Sequence, residues 1–286
     1  MSDKQWYTEL SQPMSKAQKK ALLKRLQNPE VLSSLRRPEI LMDFFTDCVS
    51  LSPPDLSIAV PALSGLFQLI ITRNLDYPQF YIRLYILLDN NILYSKYKSR
   101  FLRHLDTFLA PTNHIPAATI ASFIKRLSRL SLFAPPAAII SIVPFIYNLL
   151  KDHPTCTFMI HRAPHPPYTK STEKLGIDPY DPNETDPQHT GAIDSSLWEL
   201  HTLQDHYNPT VAQICKIISE QFTKQQYNLE DFLDHGYGTM LEGELKRDGR
   251  REPVVEWRIP GRVFGREGEK GKEGVGNAVL DNWSFY

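Results

Sequence analysis

From Ser15 to Leu150 the apolar residues return every three or four positions, and prolines stand where helices would begin. After Pro38 the apolar positions are Leu41, Phe44, Phe45 and Cys48, and after Pro54 they are Ala59, Leu63, Leu66, Phe67 and Ile70. Both sets trace one face of a helix with 3.6 residues per turn. The stretch from Asn74 to Asp89 is rich in rings. Its Tyr77, Phe80, Tyr81, Leu84 and Leu88 fall at i, i+3, i+4, i+7 and i+11, which puts most of the rings on a buried face. Rings that stack on nucleic acid have to stand exposed beside the bases, so this reads as core. Tyr85 lies off that face and its role stays open. Phe101, Leu102, Leu105, Phe108 and Leu109 continue the pattern. Ile120, Phe123, Ile124, Leu127 and Leu130 follow beyond Pro116, and Ile139, Ile142, Val143, Ile146 and Leu149 follow Pro135 and Pro136. Strand signals are nearly absent, so the expected fold class is all-α.

The expected helix starts at Pro38, Pro78 and Pro116 are 40 and 38 residues apart, with one more helix inside each interval. That period matches helical hairpins of the HEAT type and predicts a HEAT-like or armadillo-like helical repeat solenoid. Such an array buries one continuous seam and leaves a long outer surface. The expected organisation is a polar extension over 1–14, a helical-repeat domain over 15–162 and a Pro-rich acidic connector over 163–195. C-terminal helices over 196–247 and a Gly- and charge-rich tail over 248–286 complete it. Within the C-terminal part, Ser196 and Glu199 have the spacing of a capping box. Asn208-Pro209 supplies an N-cap and a first-turn proline, and Asn228 could cap one last helix over "LEDFLDHGYGTMLEGELKR".

Composition changes this picture little. With 286 residues, 32 bases and 32 acids, no whole-chain field points to nucleic acid or to acidic substrates. Local charge says more. Between Ile92 and Ser131 stand Lys96, Lys98, Arg100, Arg103, Lys125, Arg126 and Arg129 against Asp106 alone, a strip that suits RNA phosphates or an acidic partner, or is an ordinary solvated face. Between Ser171 and Leu200 seven acids face only Lys174, so the connector could fold back on the strip and compete with RNA for it. The three cysteines, Cys48, Cys156 and Cys215, form no CxxC and favour a reducing compartment. No signal peptide, transit peptide or membrane span is expected.

Candidate chemistry is thin. "GREGEKGKEGVG" lacks the phosphate-loop spacing and carries Glu273 where a hydroxyl is required. His161 and His165 are separated by prolines that forbid a helical metal site, and a third ligand is missing. Asp178, Asp181, Glu184 and Asp186 lack the order of a calcium loop. Neither GxSxG nor a cysteine in a catalytic setting is present. No enzyme, cofactor, metal or small-molecule substrate is therefore expected.

The runs "LSGLFQLIITRNLDYPQFYIRLYILLD", "KYKSRFLRHLDTFL", "FIKRLSRLSLFAPPAAI", "PFIYNLLKDHPTC" and "SSLWELHTLQDHYNPTVAQICKI" strongly resemble the CCAAT-binding-factor-type domain of nucleolar complex proteins, from about Pro38 to Arg247. The resemblance implies a helical scaffold in the nucleolus that takes part in small ribosomal subunit assembly and pre-rRNA processing. It implies membership of the small-subunit processome and a partner of the nucleolar protein fourteen type. In the family, the segment matching "SSLWELHTLQDHYNPTV" is linked to partner binding, which nominates Trp198, Leu200, Leu203, His206, Tyr207 and Pro209. Members of this type usually carry a further helical region before the match, whereas about 37 residues precede it here, so a short form or an incomplete gene reading is expected. The leading reading is a non-catalytic scaffold, and the alternative is a direct pre-rRNA-binding module that uses the basic strip.

Overall fold

The computed structural model describes residues 10, 14–26, 40–50, 55–73, 77, 79–113, 115–161 and 178–246. Pro38, Pro54 and Pro78, His165, residues 163–177 of the connector, the tail over 248–286 and most of the N-terminal extension lie outside them. Every regular element among the described residues is helical, in accord with the all-α expectation. The chain divides into two compact units, Met1–Tyr237 and Gly238–Tyr286.

The first unit opens with α1 (Lys16–Leu26). Its start is a reciprocal capping box, in which the Ser15 amide donates to Gln18 Oε1 at 2.8 Å and the Gln18 amide donates to Ser15 Oγ at 3.4 Å. Leu22, Leu23 and Leu26 are buried, where α1 packs against α3 (Leu56–Arg73). Lys16, Lys20 and Lys24 stand four residues apart on the exposed side. Repulsion between like charges at that spacing costs roughly 0.2–0.5 kcal/mol per pair. Each buried leucine contributes about 1.5–3 kcal/mol, so the apolar face holds the helix despite the lysines.

Helix α2 (Ile40–Val49) packs closely against α3. Gly65 permits it, because a Cβ there would stand 2.6 Å from the Phe45 ring. The ring-rich stretch forms α4 (Phe80–Leu87) and, after a break at Leu88-Asp89, α5 (Asn90–Tyr94). Phe80 meets Phe67 of α3 at 5.6 Å and Phe108 of α6 (Lys98–Phe108) at 5.2 Å between ring centroids. These contacts show the core role that the spacing gives Phe80. Tyr85, left open by the pattern, is fully buried as well.

Helices α7 (Ala117–Ser131) and α8 (Pro136–Asp152) form a packed pair at the centre. Every side chain of α8 from Ala137 to Leu150 is buried, because the chain downstream of residue 178 returns to cover it. A short 3₁₀ turn (Ala192–Asp194) lies on α7, entered through Gly191, whose φ of 70° and contact with the Pro179 carbonyl leave no room for a Cβ. Then come α9 (Trp198–Thr202), a turn at Leu203–Asp205 and α10 (Pro209–Lys216), the last capped by Asn208 Oδ1, which accepts from the Thr210 and Val211 amides. Polar side chains of α8 hold the next segment. Asn148 donates to the Tyr227 carbonyl and accepts from its amide, each at 2.8 Å, while Tyr147 and Ser141 donate to the carbonyls of Lys224 and Phe232.

Two expectations about the C-terminal helices are corrected. Ser196 and Glu199 form no capping box, since Glu199 turns into the protein and α9 is only five residues long. The single last helix is broken into α11 (Glu230–Leu233) and, beginning at the end of the first unit, α12 (Tyr237–Lys246). The break falls where α6 takes the backbone carbonyls of the intervening turn: Ser99 donates to Leu233 and Lys98 donates to His235.

Candidate functional site

Most of the bases expected to form one strip are used inside the protein. Lys125 is 0% exposed. Its Nζ lies 2.8 Å from Asp178 Oδ2 and 2.7 Å from Glu199 Oε1, and it donates to the Ser196 carbonyl at 2.7 Å. One lysine of α7 therefore fastens three points of the returning segment. Lys98 is buried too and donates to the carbonyls of Ala137 and His235. Arg103 grips Glu230 through two hydrogen bonds, of 2.7 and 2.6 Å. Arg126 donates to the Leu88 carbonyl and lies over the Tyr85 ring. Arg129 stands half exposed, 3.6 Å from Asp178. Lys98 and Arg126 are thus tied to backbone carbonyls, while Lys96 and Arg100 form neither an ion pair nor a hydrogen bond to a carbonyl among the described residues. The expected single basic surface is thus corrected at Lys98 and Lys125, which point inward because a segment far along the chain covers them.

Asp178 is the centre of this cluster. Burial by itself would raise its pKa, but hydrogen bonds from Lys125, Ser195, Trp198 and the Tyr180 amide outweigh it and hold the carboxyl at about 2. Ser195 Oγ donates to Oδ1 at 2.5 Å and Trp198 Nε1 donates to Oδ2 at 3.1 Å. Glu199 is fully buried, and burial raises its pKa against the pull of Lys125. Tyr180, next to the cluster, shares a 2.7 Å hydrogen bond with Tyr85, so the one ring left open by the sequence pattern is a tie between α4 and the connector.

The six residues nominated for partner binding separate into two sets. Leu200 and Leu203 are buried in the interior. Trp198 is 42% exposed and Tyr207 is 81% exposed. His206 lies against the Tyr207 ring at 4.3 Å and Pro209 is exposed, so these four are the ones that reach solvent. Lys125 at 5.5 Å and Arg129 at 5.9 Å flank the Trp198 ring, so the cluster that fastens the segment also fixes its exposed indole. Sequence reasoning missed Asp178, Tyr180, Ser195 and Glu199 as members of a site. The signal was present in α7, where Ser122, Lys125 and Ser128 interrupt an apolar face at helical spacing, and all three prove buried.

His161 is exposed, and no group of three His, Cys, Asp or Glu side chains among the described residues could hold a metal. No helix among the described residues is long and apolar enough to cross a membrane.

The chain matches the CBF/Mak21 family over residues 59–215. It is similar to an uncharacterized protein of Schizosaccharomyces pombe, at 50% identity over 88% of this chain and 49% of that protein. Nucleolar complex protein 4 of Saccharomyces cerevisiae is 39% identical over 97% of this chain and 52% of its own length. The Nucleolar complex protein 4 homolog of Homo sapiens is 40% identical over 88% and 46%. The chain spans about half the length of the curated relatives it matches.

Proposed function

Because the chain belongs to the CBF/Mak21 family, we propose that it is a non-catalytic scaffold of nucleolar ribosome biogenesis that presents a partner-binding segment from a rigid helical body. The finer reading is small-subunit assembly and pre-rRNA processing within the small-subunit processome, with a partner of the nucleolar protein fourteen type. Its similarity to Nucleolar complex protein 4 and its homolog supports the nucleolar part of this reading. HEAT-like stacking belongs to the same proposal, supported by helix starts at Ile40, Phe80 and Ala117 that keep nearly the expected period.

The observation that carries the proposal is the fastening of the segment around Trp198. Asp178, Ser196 and Glu199 converge on buried Lys125, while Trp198 and Tyr207 remain outside. Rigid aromatic anchors on a pre-formed surface lose little entropy on binding and are common centres of protein interfaces. The test is co-purification with the proposed partner through nuclease and high-salt washing. Wild-type protein retains the partner, and Trp198→Ala with Tyr207→Ala weakens capture without unfolding the chain. A complex lost under nuclease alone would mean that RNA bridges the two proteins.

The alternative, direct RNA binding by the strip from Lys96 to Arg129, loses its main support with the inward turn of Lys98 and Lys125.

A further inference from the structure

A separate group of exposed bases stands on α1. Its eleven residues hold Lys16, Lys19, Lys20, Lys24 and Arg25 and not one acid. Lys16 approaches Asp55 at 3.8 Å with its side chain 81% exposed. Lys20 and Lys24 form no ion pair among the described residues. Lys16, Lys20 and Lys24 follow one another at four-residue intervals, a rise of about 6 Å per step along the axis. Ala17 and Ala21 are exposed between them, so the helix surface under the lysines is low and smooth. The first turn carries Lys16 and no acid, so the helix dipole adds to the positive charge instead of offsetting it.

This face has the wrong make-up for a protein interface. Interface centres are depleted in lysine and built on aromatic or large apolar side chains, and the exposed side of α1 offers lysine, alanine, Gln18 and Arg25. It has the right make-up for a phosphate backbone. Lysine acts there as a mobile point charge that needs no particular base, and small residues let the strand lie close. We propose that the exposed lysine row of α1, Lys16-Lys20-Lys24, is an RNA-backbone contact, through which the scaffold touches pre-rRNA without reading its sequence. The inference rests on the ribosome-biogenesis reading for the identity of the RNA, but its chemistry is that of any phosphodiester strand.

The experiment uses the full chain and a short fluorescein-labelled single-stranded RNA of mixed sequence, read by fluorescence anisotropy over a salt series. Three phosphate contacts give a salt slope near −2, so a fourfold rise in salt weakens binding roughly 20-fold. Lys20→Glu with Lys24→Glu leaves the Lys16–Asp55 pair in place, removes most of the affinity and flattens the slope. Lys96→Glu with Arg100→Glu, outside the row, leaves both unchanged. RNA binding that survives Lys20→Glu with Lys24→Glu in a chain of unchanged circular dichroism overturns the proposal, as does absence of RNA binding by the wild type. Equal affinity for a poly-glutamate peptide of matched charge also overturns it, in favour of an acidic protein partner. Partner co-purification is scored separately, so loss of the RNA contact leaves the scaffold reading standing, and loss of the partner leaves the contact standing.

Discussion

Helices α1 and α7 are both short, amphipathic and basic without an acid of their own, yet their charges have opposite fates. On α1 Lys16, Lys20, Lys24 and Arg25 stay exposed while Leu22, Leu23 and Leu26 are buried. On α7 the polar residues also alternate with apolar ones, but the chain returns farther along and covers them with Asp178, Ser196 and Glu199. A lysine that would have been a surface charge becomes the bolt of an internal clamp. Local charge therefore predicts a surface only where no distant segment claims the face, and helical periodicity alone cannot tell the two cases apart.

The sharpest way to break the comparison is to remove the bolt. Lys125→Met leaves buried Glu199 and partly exposed Asp178 without their shared cation and should cost about 3–5 kcal/mol in urea unfolding, with much of the loss restored by adding Glu199→Leu. An equal change at an α1 lysine should do almost nothing. Asn148→Ala probes the neighbouring tie on α8. It leaves the part-buried Tyr227 amide and carbonyl without their partner and should cost about 1 kcal/mol in the same assay.

Acid titration separates the two carboxylates of the clamp. The Asp178 carboxyl titrates lower in the folded protein, about 2 against 3.8, so its contribution is full above 3.8 and is lost as the pH falls toward 2. Its partial exposure to solvent limits that contribution to about 1–2 kcal/mol. Glu199 is shifted the other way by burial, so the stability it governs falls as the pH rises above 4.5. Unfolding measured from pH 2 to 7 should lose its low-pH arm in Asp178→Asn and its decline above 4.5 in Glu199→Gln. The smallest effect belongs to Lys20→Glu with Lys24→Glu, expected to move unfolding by less than about 0.5 kcal/mol.

Much of the helical body was legible in the sequence because its cause is local. The helices at Leu56–Arg73, Lys98–Phe108, Ala117–Ser131 and Pro136–Asp152 follow apolar spacing, the last two begin at prolines, and Asn208 caps the helix its position suggests. The clamp was not legible because its members are distant in sequence and each has a plausible local role. Glu199 fits a capping box, Asp178 fits a solvated acidic run, and Lys125 fits a basic strip. The true capping box at Ser15 and Gln18 has the same spacing as the false one at Ser196 and Glu199. What separates them is buried Lys125, whose Nζ lies 2.7 Å from Glu199 Oε1 and draws that side chain away from the helix start.

Buried Lys125 ties the segment carrying Trp198 and Tyr207 to α7. Hydrogen–deuterium exchange on Lys125→Met, compared with wild type under conditions where both stay folded, tests it most directly. Faster exchange confined to residues 178–216, with α2 and α3 unchanged, is the predicted result. Unchanged protection across 178–216 in a folded variant would contradict it.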